Sequence, residues 1–334
     1  MVEGLQERGA DVVWRCHIGS DKTNEHTDRG WAFLRPWIEG ADGFVFSRRG
    51  YAPSWLPADR VWVIPPSLDP FSAKNAFIST DDVHAALRRA GLVETESPEG
   101  NLGFTRRDGS AGVVRRHSGL VLDDDWLPRD ARVVLQVSRW DTLKDMTGVL
   151  TGFVDHLENF SDDVHLLLVG PDVTGVSDDP EGAHVLEECR ALRGSLSAAA
   201  RARAHLCCLP MDDVDENAHL VNALQRYAEV VVQKSLVEGF GLTVTEPMWK
   251  GRPVVASAVG GIRDQIVDGV SGVLLDDPTD LTRFAEVLAG LLGDPAREAT
   301  IGAAARDRVT ERYLGDRHLI QYAELFMALE TRER

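Results

Sequence analysis

The stretch Glu229-Val-Val-Val-Gln-Lys-Ser-Leu-Val-Glu-Gly-Phe-Gly-Leu-Thr-Val-Thr-Glu-Pro-Met-Trp-Lys250 decides the reading of this chain. Residues 229–232 form a short β-branched run and predict a strand. A loop holding Gly239 and Gly241 follows, and a helix is predicted over 242–250. Such a loop lies at the carboxyl end of its strand, where open α/β sheets bind ligands. The free amides and positive dipole end of a helix start favour phosphate. The two glycines let backbone approach a ligand closely. Glu238 and Glu246 bracket seven residues, one in the loop and the other about one turn into the helix, so both can border one cleft. Carboxylates are poor phosphate ligands but good acceptors for hydroxyls, which points to a sugar on one side and a ribose on the other. For a lone pair of glutamates, capping and solvation of a helix start is the plainer account. The intervening Gly-Phe-Gly and the flanking strand favour the ligand site.

Working outward, runs at 132–137 (RVVLQV), 164–169 (VHLLLV), 206–209, 253–256 (PVVA) and 272–275 (GVLL) predict further strands. Helical spacing falls over 145–157 and 217–226. This alternation implies right-handed βαβ units, hence an α/β fold with a parallel sheet covered on both faces. The tail from 281 is helical, with breaks near Gly293-Asp294-Pro295 and Gly315. Nearer the start, 11–16, 43–47 and 61–64 read as strands and 27–39 as a helix containing Pro36. That is about half of a doubly wound domain. Residues 94–125 are polar and rich in Gly, Arg and Asp, and read as a linker or surface insertion.

Charge sharpens the picture. Among 334 residues, 36 Lys and Arg stand against 53 Asp and Glu, a net charge of −17. Such a surface repels nucleic acid and anionic membranes, so an anionic ligand needs a local basic pocket. Arg139 and Lys144, in the loop after the predicted strand 132–137, provide one. Arginine suits a diphosphate by bidentate contact and lysine as a point charge. No apolar run approaches the ~20 residues needed to span a bilayer. No signal peptide is expected at the start, and a cytoplasmic setting is expected. Cys16, Cys189, Cys207 and Cys208 lack C-x-x-C spacing, so neither a zinc site nor a disulfide framework is expected. Adjacent Cys207 and Cys208 read as strand residues rather than a redox pair.

Together S-R-x4-K, E-G-F-G-L-x3-E and P-V-V-A-x3-G-G-I resemble the retaining nucleotide-sugar glycosyltransferases of family 4, which have the GT-B fold. The resemblance is closer to the branch of trehalose glycosyltransferring synthases and trehalose phosphorylases. It is carried by Trp14-Arg-Cys-His-Ile18, Pro66-Ser-Leu-Asp-Pro-Phe-Ser-Ala-Lys-Asn75, Gln136-Val-Ser-Arg-Trp-Asp141 with Lys144-Asp145, Asp179-Pro-Glu-Gly182, Val221-Asn-Ala-Leu-Gln225, Gln233-Lys-Ser235 and Met248-Trp-Lys250.

The resemblance implies two Rossmann-like doubly wound domains, the first truncated. They would comprise 1–125, an acceptor-side part with the insertion, and 126–312, a donor-binding part. Residues 313–334 would form a helix crossing back to the first. It implies retaining, reversible glucosyl transfer from ADP-, UDP- or GDP-glucose to glucose, giving trehalose. Trehalose phosphorolysis, or nucleotide-sugar binding without turnover, remain as alternatives. Arg139 and Lys144 would hold the donor diphosphate, and Glu238 would accept from donor glucose hydroxyls. The amides of Phe240, Gly241, Leu242 and Thr243 would bind glucose and phosphate. Glu246 would take the ribose, the Pro210–Met211 loop would flank the base, and Gly260 and Gly261 would close the pocket. His17 would face the donor sugar from the other domain. No cofactor and no obligatory metal are implied. The expected partners are small sugars and nucleotide sugars, and a homodimer stays open.

Two departures stand out. Gly19-Ser20 follows Cys-His-Ile where the family usually has Asp. The chain also opens at about the middle of the family's first domain, so roughly a hundred or more residues of a typical relative are expected to be absent, against a usual domain of about 150.

Overall fold

Near-continuous β-branched runs call for burial on both faces, and the structure buries them so. The computed structural model describes residues 2–94, 100–122, 126–173 and 180–331. Its strands are β1 (Val13–Arg15), β2 (Gly43–Phe46), β3 (Val61–Val63), β4 (Gly103–Thr105), β5 (Ala111–Val113), β6 (Arg132–Val137), β7 (Val164–Pro171), β8 (Ala204–Leu209), β9 (Val230–Gln233), β10 (Val254–Ser257) and β11 (Val273–Leu275). Its helices are α1 (Val2–Gln6), α2 (Glu25–Ile38), α3 (Thr80–Ala90), α4 (Met146–Val154), α5 (Pro180–Ser195), α6 (Ala198–Arg201), α7 (Val214–Tyr227), α8 (Leu242–Trp249), α9 (Ile262–Gln265), α10 (Leu281–Leu292), α11 (Pro295–Arg312) and α12 (Gly315–Glu330).

Six strands form one parallel sheet in the order β11-β10-β9-β6-β7-β8. Strand residues alternate between two cores. Val133, Leu135, Leu167 and Val231 face α3, α7, α8 and α11, while Val134, Leu166, Leu168 and Val230 face α4, α5 and α10. The chain runs outward from β6 to β8, returns to β9, then runs outward the other way. The order therefore reverses between β6 and β9. Loops leaving these two neighbours diverge and open a crevice, the usual place for a ligand in such sheets.

A smaller parallel sheet, β1-β2-β3, precedes it. One face packs on α2 through Phe44, Phe46, Trp14 and Trp31. The other packs on α12, where Leu325 and Leu329 meet Val45 and Ile64.

The structure revises the reading of 94–125 as a linker or surface insertion. Among its described residues, β4 and β5 form an antiparallel hairpin, and Val114, Leu120 and Val121 are buried. Leu122 N donates to Leu206 O at 2.8 Å and Cys208 N to Leu120 O at 2.9 Å. The segment thus covers the outer edge of β8, satisfying backbone groups that an open edge would expose. Helix α3 was also unanticipated. Ser79 caps it, and it buries Val83, Ala85, Ala86, Leu87 and Ala90. Three of the residues it packs inward are alanines, which carry little apolar signal.

All four cysteines are free. Burial pushes the Cys189 thiol up to about 12 and that of Cys208 to about 11, so neither forms thiolate near neutral pH. Among the described residues, no helix is long and apolar enough to cross a membrane.

Candidate functional site at the sheet crossover

The loops after β6 and β9 meet at the reversal of strand order. After β6, Asp141 caps the turn Thr142–Lys144 by accepting from Leu143 N at 2.8 Å, and Gln136 Nε2 donates to Lys144 O at 2.8 Å. Asp145 then takes a left-handed conformation, φ 51°, and caps α4 through Gly148 N. Among the described residues it is the one non-glycine at positive φ. Aspartate tolerates that region better than most residues. Lys234, fully buried, offsets the cost: its ammonium pairs with Asp145 and donates to Pro278 O at 2.7 Å. Leu236 N donates to Leu143 O at 2.8 Å, tying the two loops together.

This scaffold brings Lys144 and Glu238 together. Lys144 Nζ lies 2.5 Å from Glu238 Oε2, with both side chains largely buried. Glu238 Oε1 accepts from Gly239 N at 3.2 Å. Arg139 shares the loop of Lys144 but is exposed and pairs with Asp141 at 2.7 Å. Its guanidinium is thus held on the solvent side of that loop.

Helix α8 starts after Gly241, φ 86°. The amides of Leu242 and Thr243 lie in its first turn, where no intrahelical acceptor exists. Phe240 turns its ring inward against Tyr313, centroids 5.8 Å apart, so only its backbone faces the loop. Gln265 Nε2 donates to Phe240 O at 2.5 Å and fixes the turn.

Gly260 and Gly261 meet this loop directly. A Cβ on Gly260 would stand 1.6 Å from Glu238 O, and Gly261 N donates to Gly239 O at 3.0 Å. They are packed backbone to backbone against the glutamate loop. That contact between segments twenty residues apart has no local sequence signal.

Glu246 is 4% exposed. Lys74 Nζ lies 2.8 Å from its Oε1, and Gln225 Nε2 lies 3.4 Å from its Oε2. Pro210 and Met211 lie between β8 and α7, with Pro210 O accepting from Asn217 Nδ2 at 3.0 Å. The 94–125 segment reaches this loop: Arg115 pairs with Asp212 at 2.8 Å and with Glu216 at 2.5 Å. Pro210 borders a cavity of about 790 Å³ shared with His117 and Leu120. Asp179, one of the residues quoted for the family resemblance, lies outside the described residues.

The first sheet contributes the opposite wall. His17 follows β1, is exposed, and lines a cavity of about 1230 Å³ with Trp14, Trp31 and Tyr51. Two residues on, Gly19 abuts Gly239. A Cβ on Gly19 would fall 1.9 Å from the Tyr51 ring, which is a steric reason for glycine at this departure from the family pattern. Tyr51 Oη donates to Gly239 O at 2.5 Å, and Gly260 N donates to Asp21 Oδ2 at 2.5 Å. Arg48 pairs with Asp21 and, at 2.6 Å, with Asp264. The sequence reading missed Asp21, Arg48 and Tyr51, and gave no role to Lys74 and Lys234, which stood only within stretches carrying the family resemblance. Among the described residues, no group of three or more His, Cys, Asp or Glu is placed to hold a metal ion.

Residues 124–308 match the family described as glycosyl transferases group 1, and residues 1–53 match the trehalose synthase N-terminal domain. The trehalose synthase of Pyrococcus horikoshii is 31% identical over 97% of this chain and 65% of its own length. The chain therefore spans somewhat less than two thirds of that relative. Among solved structures, the sucrose-phosphate synthase of Thermosynechococcus elongatus aligns with a TM-score of 0.67 at 21% identity, over 98% of this chain and 70% of its own. The Anabaena protein Alr3699/HepE, solved with UDP, aligns with a TM-score of 0.70 at 16% identity, over 98% and 75%. At such identities the likeness speaks for the fold, which is the GT-B arrangement that the sequence resemblance implied.

Proposed function

The chain belongs to the glycosyl transferases of group 1, and from that premise we propose that it transfers glucose, with retention, from a nucleoside-diphosphate glucose to glucose, giving trehalose reversibly. The observation that carries this reading is the Lys144–Glu238 pair at 2.5 Å beside the start of α8. A cation, a hydroxyl acceptor and unengaged helix-start amides then meet at one crossover. The match over nearly the whole chain to a trehalose synthase supports the choice of substrates.

In this reading the donor diphosphate lies over the start of α8 and within reach of Lys144. A lysine ammonium has three donors, so it can hold Glu238 and a phosphate oxygen at once. Arg139 swings from Asp141 to the diphosphate. Glu238 accepts from glucose hydroxyls and orients the anomeric carbon. As the anomeric C–O bond to phosphate breaks, charge grows on the leaving oxygen, and Lys144, Arg139 and the helix-start amides stabilise it. The acceptor hydroxyl attacks from the same face, and the leaving diphosphate takes its proton. His17, across the cleft, binds the donor sugar. Pro210 and Met211 flank the base, and Glu246 accepts from the ribose. No step calls for a metal.

The test is incubation with ADP-, UDP- or GDP-glucose plus glucose. Trehalose is the expected product. Nucleotide binding without product, lost in Lys144→Ala, would mark a binding module instead. Cleavage of trehalose that needs inorganic phosphate and no nucleotide would mark a phosphorylase.

A further inference from the structure

Arginine outnumbers lysine 31 to five in this chain, and the lysines are Lys22, Lys74, Lys144, Lys234 and Lys250. All but Lys22 stand at or beside the crossover loops and α8. Lys144 and Lys234 already have partners there, described above. Lys74 comes from the segment between β3 and α3, far from those loops in sequence.

That segment is firmly held. Leu68 N donates to Tyr313 O at 2.7 Å. Asn222 Nδ2, on α7, donates to Ala73 O at 3.0 Å and to Ala76 O at 2.9 Å. Trp249 Nε1, on α8, donates to Asn75 O at 3.0 Å, and Lys250 Nζ donates to Asn75 Oδ1 at 3.1 Å. Lys74 is thus carried to Glu246 on a fixed strap. Its ammonium sits 2.8 Å from Oε1, while its own side chain is 36% exposed and that of Glu246 only 6%.

A carboxylate so buried needs a charged or hydrogen-bonding partner. The choice of cation then matters. A carboxylate has about four acceptor positions, two on each oxygen. An arginine fork would engage both oxygens. A lysine point charge takes one position on Oε1, and Gln225 takes one on Oε2, which among the described residues leaves one position on each oxygen without a partner. That remainder matches two adjacent hydroxyls. It is a physical reason for lysine in a chain that elsewhere favours arginine.

We infer that Lys74 is a positioning residue: it orients Glu246 and leaves it two open acceptor positions, so that the site selects a nucleotide with a vicinal ribose diol over its 2′-deoxy counterpart. The inference rests on the nucleotide-sugar reading above and adds a residue and a specificity to it.

The experiment is titration calorimetry of the full chain with ADP, UDP and GDP and with their 2′-deoxy forms. The wild type is expected to bind its best ribonucleotide about tenfold tighter than the deoxy form, the scale of one lost hydrogen bond to a charged group. Lys74→Met is expected to bring that ratio close to one while changing deoxy binding by less than about twofold. The double variant Lys74→Met/Glu246→Gln is expected to bind the ribonucleotide as Glu246→Gln alone does, because Lys74 acts through Glu246. Lys74→Gln, closer in shape, repeats the measurement if the methionine variant folds poorly. Equal weakening of both forms in the Lys74 variants overturns the inference and leaves the nucleotide-sugar reading standing. A wild type that binds ribo and deoxy forms alike overturns the inference through Glu246. A wild type that binds none of the nucleotides overturns the nucleotide-sugar reading itself, and the inference with it.

Discussion

The two parallel sheets are built from similar strand sequences and end in different states. RVVLQV in β6 is buried at its centre by helices on both faces, whereas the VWR of β1 is half-buried throughout. Around the smaller sheet, Ile18 is 81% exposed, Phe33 72% and Trp37 61%. The larger sheet has a helix layer on each side and a covered outer edge at β8. The comparison teaches that the pattern of a strand sets which faces seek cover, while the surrounding layers set how much is obtained. It also separates two jobs at the cleft. Lys144, Glu238 and Glu246 stand on the side of the larger sheet, while the smaller one brings His17 and a clasp made by Gly19, Tyr51, Asp21 and Arg48.

The sharpest way to break that division is to compare Lys144→Ala with His17→Ala. In the proposed mechanism Lys144 stabilises the leaving charge, so removing it is expected to lower kcat/KM for the proposed transfer by about 10²–10³-fold. Removing His17 is expected to cost about tenfold, the worth of the one hydrogen bond to the sugar that the proposal gives it. Steady-state kinetics on the preferred donor decides it, and equal losses would erase the distinction.

Next in size is Gly260→Ala. The new Cβ would meet Glu238 O, so the glutamate loop or its neighbour must move. A loss of about 2–4 kcal/mol is expected, readable by denaturant unfolding. Tyr51→Phe removes the hydroxyl that clasps Gly239 O and lies 3.4 Å from Glu238 O, and is expected to cost about 1 kcal/mol. A larger loss in the second variant would show that the clasp, not the crossover, holds the loops.

Acid should affect the larger sheet through its buried imidazoles. His165 and His205, on β7 and β8, share a contact of 3.0 Å between Nδ1 and Nε2, which needs one nitrogen without a proton. Burial, with the charge of His205, lowers His165 to about 4, and burial lowers His219 to about 4. Their unfolded value is near 6.5, so the unfolded chain binds more protons between these limits. The stability they contribute is complete above about 6.5 and is lost as pH falls toward 4. Melting temperature should drop over that window, and the drop should flatten in His165→Gln.

The smallest expected change in stability is that of Arg139→Ala. Its pair with Asp141 is exposed, so unfolding free energy should move by less than about 0.5 kcal/mol. Donor affinity should still fall by about tenfold if Arg139 makes the proposed diphosphate contact. Chelation with EDTA should leave turnover unchanged if, as proposed, lysine, arginine and amides carry the phosphate charge.

Much of the larger sheet was legible because its strands are uninterrupted β-branched runs between turn residues. Predicted strands at 132–137, 164–169 and 253–256 lie within a residue or two of β6, β7 and β10. The glycine loop and its two glutamates were legible because strand, loop and helix are contiguous. Helix α3 was hidden by its alanines. The hairpin β4–β5 was hidden because polar, glycine-rich strands lack an apolar signature, and its anchors, Arg106 on Asp213 and Arg115 on Glu216, lie about a hundred residues away.

By itself the sequence determined an α/β chain with parallel strands, ligand loops at strand ends, and cations set against a net charge of −17. Those properties follow from local periodicity and from composition, which need no knowledge of strand order. Tertiary structure alone decided that β6 and β9 are neighbours, that Lys144 meets Glu238, that Lys74 meets Glu246, and that Gly260 lies against Glu238 O. These contacts join segments from about twenty to 170 residues apart, and they exist because the crossovers place them at one crevice. Once charges are buried there, each needs a partner within hydrogen-bond reach, and only the folded arrangement determines which partner that is.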